Sequence, residues 1–157
     1  MNTTTMRALA DEFTKIAFGE DLDKKTKARM IPRLEDVEVP MNIQKHDAAR
    51  AGTHYDLRIQ DPDKPISYSW AVPKASLPSE IGDKRLAIRQ PDHRSSYMGY
   101  SGDLQTRAGK GKVKSEFLDK VKVREANAGK VRFDHDGKEY LLHRTQSNKN
   151  WLLRRTR

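Results

Sequence analysis

The segment Lys130–Arg144 constrains the fold most. Two runs alternate apolar and polar residues, K-V-R-F-D-H and K-E-Y-L-L-H-R, and only Asp136-Gly137 separates them. Alternation with a period of two puts one side of an extended chain in a core and the other in water. An Asp-Gly pair supplies the positive backbone angles of a two-residue turn, so this stretch predicts a β-hairpin. Much of the chain after Pro40 reads the same way. Strands are expected at Met41–His46, Thr53–Gln60, Ile66–Val72, Leu86–Arg89, Lys112–Ser115, Lys120–Arg124 and Trp151–Arg154, with a short helix or a turn at Ser115–Asp119. Many short strands separated by turn residues predict a mainly β fold, a small closed or partly closed barrel.

The first 40 residues differ. Met6, Leu9, Phe13 and Ile16 recur at helical spacing, and Gly19 ends that run. A second short helix is expected over Asp21–Met30, before Pro32. The expected organisation is an N-terminal helical arm over 1–40, flanking a barrel domain over 41–157. At 157 residues the chain suffices for one domain with a real core. No apolar run is long enough to span a bilayer, and acidic residues stand near the N-terminus where a signal peptide needs apolar ones. Zero cysteines exclude disulfides and thiolate zinc sites. Together these predict a cytoplasmic protein without a membrane partner.

Chemistry concentrates in H-D-A-A-R-A-G-T-H-Y-D-L-R, His46 to Arg58. On a strand over 53–59, His54, Asp56 and Arg58 share one face, while Tyr55, Leu57 and Ile59 share the other. Two imidazoles and a carboxylate, His46, His54 and Asp56, suit a divalent transition metal. Arg58 beyond them suits a phosphate. A solvated polar face on a half-buried strand would look similar. The charge distribution favours the phosphate reading. Residues 105–157 hold 15 Lys/Arg against 6 Asp/Glu and so carry the whole net charge of +9. Such a patch suits a polyanion.

Several blocks carry a resemblance: Gln44 to Ile59, then S-W-A-V-P-K (Ser69–Lys74), D-K-R-L-A-I-R (Asp83–Arg89), D-H-R-S-S-Y (Asp92–Tyr97) and K-N-W-L-L (Lys149–Leu153). In that order and spacing they resemble the 3'-phosphoesterase domain of bacterial DNA ligase D, which also occurs as a stand-alone protein. The resemblance implies a manganese-dependent nuclease-phosphatase that heals 3' ends by removing 3'-phosphates and a terminal ribonucleoside. It implies His46, His54 and Asp56 as ligands of Mn2+, a set that Zn2+ or Co2+ also suits. Arg58 and His93 would grip the phosphate, with Tyr97 close by as a third catalytic residue. Lys74 and Arg85 match basic positions of the site, and Gln44 matches a polar residue bordering the metal. The implied partners are DNA or RNA-containing primer 3' ends and a separate ligase or polymerase.

The chain also departs from the pattern. Seven residues separate the two histidines where five are usual, which a bulge near Gly52 would absorb. Gln60 and Pro91 replace acidic residues, the glycine-rich stretch Gly99–Val113 is altered, and the first 40 residues do not match. These departures favour 3'-phosphate removal over ribonucleoside removal. They also keep open a nucleic-acid-binding module of the same fold without catalysis, and a phosphoesterase for some other phosphate.

Overall fold

A computed structural model describes residues 28–48, 52–73, 76–106, 109–147 and 149–157. Nine strands follow one another: β1 (Leu34–Ala48), β2 (Gly52–Gln60), β3 (Ile66–Pro73), β4 (Lys84–Arg94), β5 (Gly102–Thr106), β6 (Gly109–Asn127), β7 (Lys130–His135), β8 (Lys138–Arg144) and β9 (Asn150–Arg155). One turn of 3-10 helix, Ser95–Tyr97, follows β4. The strands run β1-β2-β3-β4-β9-β8-β7-β6, and β1 pairs with β6 to close an eight-stranded antiparallel barrel. Closure leaves the barrel itself without a free edge. β5 is added outside the ring, on the first third of β6. Residues 1–27, with most of the two expected helices, lie outside the described residues. Ala28–Met30, the described end of the second, is not helical.

Alternation builds the interior. Val39, Met41 and Ile43 of β1, Leu57 and Ile59 of β2 and Trp70 of β3 point inward, with Phe133, Leu142 and Leu153 from β7, β8 and β9. Trp70 and Trp151 meet edge to face at 5.4 Å, and Phe133 stacks on Tyr140 at 5.5 Å. Each such ring buries a large apolar area, so truncating Trp70 to Ala would cost about 3–5 kcal/mol. One cation shares the interior. Arg89 lies over the faces of Trp70 and Tyr68, 5.0 and 5.4 Å from their centroids, and pairs with Asp92 at 3.4 Å. Asp92 also accepts the Arg29 backbone N–H at 3.2 Å, and Arg89 donates to the Arg29 carbonyl at 3.0 Å. The chain entering β1 is thereby pinned to the barrel.

The hairpin at Asp136-Gly137 forms as expected. Both residues have positive φ, 52° and 72°, the geometry of a type I′ turn. Elsewhere the strands outrun their sequence signals. β1 begins at Leu34, upstream of the expected Met41. The two strands expected at Lys112–Ser115 and Lys120–Arg124 are one strand, β6, and Ser115–Asp119 is neither helix nor turn. The cause is a bulge: Ile43 pairs with Phe117 but Gln44 pairs with Ser115, so Glu116 is an extra residue. One extra residue breaks the alternation locally, which is why the stretch does not read as strand.

Candidate metal and phosphate site

The barrel's outer face over β1 and β2 carries the polar set. With Met41, Ile43, Leu57 and Ile59 inward, the alternate residues Asn42, Gln44, His46, His54, Asp56 and Arg58 point outward. Cross-strand pairing then sets neighbours: His46 opposite His54, Gln44 opposite Asp56, Asn42 opposite Arg58. The register from Met41–Ile59 to Ala48–Gly52 is unbroken, so the longer histidine spacing needs no bulge. Gly52, the first residue of β2, pairs with Ala48 and has φ +77°.

His46, His54 and Asp56 converge. Their nearest ligand atoms all lie within 4.8 Å of one another. His54 Nε2 is 3.4 Å and His46 Nδ1 is 4.0 Å from the Asp56 carboxylate, and the imidazole centroids are 4.6 Å apart. Burial alone would push the Asp56 carboxyl up. The His54 hydrogen bond and the charges of Arg58 and the histidines outweigh it, so Asp56 is held low and ionised. The same bond raises His54, while burial and the neighbouring His54 lower His46. The donor set fits a divalent transition ion: two imidazoles, one carboxylate, and a buried His46 Nε2 with no hydrogen-bond partner among the described residues.

His93 reaches the same face through a bulge in β4. Ser69 pairs with Gln90, but Ser67 pairs with His93, so three residues of β4 span what two span on β3. Before the bulge odd-numbered residues such as Ala87 and Arg89 face inward. After it, His93 faces outward with Ser67, Ser69 and Arg58. Bulges commonly re-aim a side chain in this way, and Pro91, which cannot donate to a ladder, sits within this one. Burial and the Arg58 charge depress the His93 imidazole to about 3, so it is neutral at physiological pH. Arg58 is only 4% exposed and lies near Asp56 and His93, whose ionisation its charge influences.

The remaining expected residues fall in different places. Gln44 is fully buried between this face and the chain after β4, donating from Nε2 to the Tyr100 carbonyl at 3.0 Å. Tyr97 ends the 3-10 turn three residues earlier. Arg85 pairs with the core residue Leu153 and shares the inward parity of Ala87, so it does not join the outward group. Lys74 lies outside the described residues. Two residues carried no sequence signal of a role, Asn42 and Asp92. Asn42 is two positions before Gln44, and alternation alone would have placed it on the outer face. Asp92 could not be assigned to the interior without knowledge of the bulge.

Among the described residues, no helix is long and apolar enough to cross a membrane. The family model for the DNA ligase D 3'-phosphoesterase domain matches residues 44–155. The multifunctional non-homologous end joining protein LigD of Mycolicibacterium smegmatis is 39% identical over 62 residues, which is 40% of this chain and 8% of that protein. The match thus spans a small part of that relative's length. With a match that runs from Gln44 on β1 to the end of β9, the chain belongs to the DNA ligase D 3'-phosphoesterase domain family.

Proposed function

We propose that this protein is a metal-dependent phosphoesterase that removes 3'-phosphates from DNA ends, a hydrolase serving non-homologous end joining. The observation that carries the reading is one outer face holding His46, His54, Asp56, Arg58 and His93 together. His46, His54 and Asp56 would hold the ion, with Mn2+ the ion proposed from the family resemblance. A divalent ion there supplies Lewis acidity toward a non-bridging phosphate oxygen.

The chain's own residues do the rest. Arg58 presents a planar fork of donors to the phosphate oxygens, and its burial strengthens each charge-assisted bond. Neutral His93 donates an N–H without adding a cation beside Arg58. Before an ion binds, the hydrogen bond between His54 Nε2 and Asp56 keeps these two donors side by side. Donors fixed before substrate arrives meet the charge that grows on the phosphate as water adds to phosphorus and the 3'-oxygen departs, taking up a proton to become the 3'-hydroxyl. Tyr97 follows His93 by four residues in the sequence, and the family resemblance proposes it as a further contact to the same phosphate.

The basic C-terminal third supports a polymeric end over a small phosphate. The test is a labelled primer-template with a 3'-phosphate, assayed with Mn2+, with EDTA, and with His54→Ala. Conversion to a 3'-hydroxyl only with metal and the intact histidine is expected. Salt-sensitive binding without conversion would leave a nucleic-acid-binding module. A parallel primer ending in one ribonucleotide reads the second activity of the family.

A further inference from the structure

We infer that Asn42 is a positioning residue: its carboxamide ties the segment that follows Tyr97 onto the face that carries Arg58. Asn42 is fully buried although it points out of the barrel. What covers it is the chain from Met98 to Ser101, which leaves β4 through the 3-10 turn and runs to β5. Asn42 Oδ1 accepts the Gly99 N–H at 2.9 Å. Its Nδ2 donates to the Phe117 carbonyl at 2.7 Å and to Ser115 Oγ at 2.9 Å, on the two sides of the β6 bulge. One side chain thus joins three pieces of backbone: β1, the bulge and the crossing segment.

The contact at Gly99 is close. Gly99 has φ +83°, and a Cβ there would stand 2.8 Å from Leu118 Cδ2. Glycine therefore lets the segment lie directly on β1 and β6. Two further bonds continue the seam, Gln44 Nε2 to the Tyr100 carbonyl at 3.0 Å and the Ser115 N–H to Ser101 Oγ at 2.8 Å. After the Met98 N–H closes the 3-10 turn on the Ser95 carbonyl at 3.0 Å, the Gly99 bond to Asn42 is the next, and Asn42 is the cross-strand partner of Arg58. Losing it frees the end of the seam nearest the 3-10 turn, so the segment that follows the turn is no longer held against the Arg58 face from that side. A positioning error on the order of 1 Å costs about a hundredfold in rate.

The inference rests on the phosphoesterase reading for its kinetic part, and amide exchange tests it independently. Asn42→Val suits a strand and removes all three bonds. Ser115→Ala removes one bond of the same side chain and leaves Gly99 tied. Both are compared with wild type well below their melting temperatures. For Asn42→Val, faster exchange of the Gly99 amide is expected, with a fall in kcat/KM on the 3'-phosphate primer of roughly ten- to hundredfold and unchanged Mn2+ affinity. Ser115→Ala should match wild type in both readouts. Equal losses in the two variants, or wild-type kcat/KM in Asn42→Val, would overturn the assignment. Should Asn42→Val not fold, Asn42→Asp keeps the acceptor for Gly99 and loses both amide donors. Loss of Gly99 protection in that variant would also overturn it. A wild-type protein that leaves the 3'-phosphate intact would defeat the phosphoesterase reading alone, since the exchange result still reports the tether.

Discussion

His46 and His54 stand directly opposite each other across the β1–β2 hairpin, with ring centroids 4.6 Å apart. Asp56, two residues along the same face, reaches both rings with its two oxygens. Three donors are therefore set by strand register alone, before any loop is considered.

The first prediction concerns those donors. Because they point out of the barrel, His54→Ala should leave the fold near intact while abolishing turnover. Wild type titrated with Mn2+ should show a rise in melting temperature, since a ligand at a hundred times its Kd adds about 2.7 kcal/mol. The variant should show no such rise. A full metal-induced shift in His54→Ala, measured by calorimetry, would remove the histidine from the site.

Arg58 tests the geometry of the phosphate clamp rather than its charge. Arg58→Lys keeps the cation and loses the planar fork. A charge-assisted bond is worth about 1.5–3 kcal/mol, so kcat/KM should fall roughly ten- to hundredfold. Equal rates for the two proteins would mean that only a point charge is needed there.

The interior pair Arg89–Asp92 is a stability device. Arg89→Met leaves the buried Asp92 carboxylate, among the described residues, with only the Arg29 contacts. Breaking one side of a buried pair costs about 3–5 kcal/mol. Arg89→Met with Asp92→Leu should recover much of the loss, because the uncompensated charge is gone. Urea unfolding of the two variants and wild type measures the difference.

Glu139 gives a dependence on pH. Burial would raise its carboxyl, but hydrogen bonds from Arg132 (2.7 Å) and Thr156 (2.8 Å) and the charges of Arg132 and Arg157 outweigh it and hold it low. A lowered carboxylate contributes stability above its unfolded value, about 4.3, and loses it as pH falls through the folded value. Glu139→Gln should therefore be less stable than wild type at pH 7, by up to about 1 kcal/mol. The gap should narrow as pH falls below the unfolded value, about 4.3, and close once pH is below the folded one. A gap that does not narrow at all on acidification would assign the effect to packing of the C-terminal residues instead.

By itself the sequence determined the barrel class, the Asp136-Gly137 hairpin and the outward grouping of His54, Asp56 and Arg58. Each of these follows from local alternation or turn chemistry, and a period of two needs no knowledge of partners. Tertiary structure decided the rest. His46 is set opposite His54 by ladder register, which only strand pairing fixes. His93 sits on the outer face, and Asp92 inside, because one extra residue in β4 reverses the parity after Gln90. Glu116 does the same in β6 and hid a single long strand. A bulge is defined by a count of residues on two strands at once, so no reading of one strand reveals it. Asn42 gained its three partners for the same reason, since Gly99, Ser115 and Phe117 are remote in sequence and meet it only when β6 and the crossing segment close over β1.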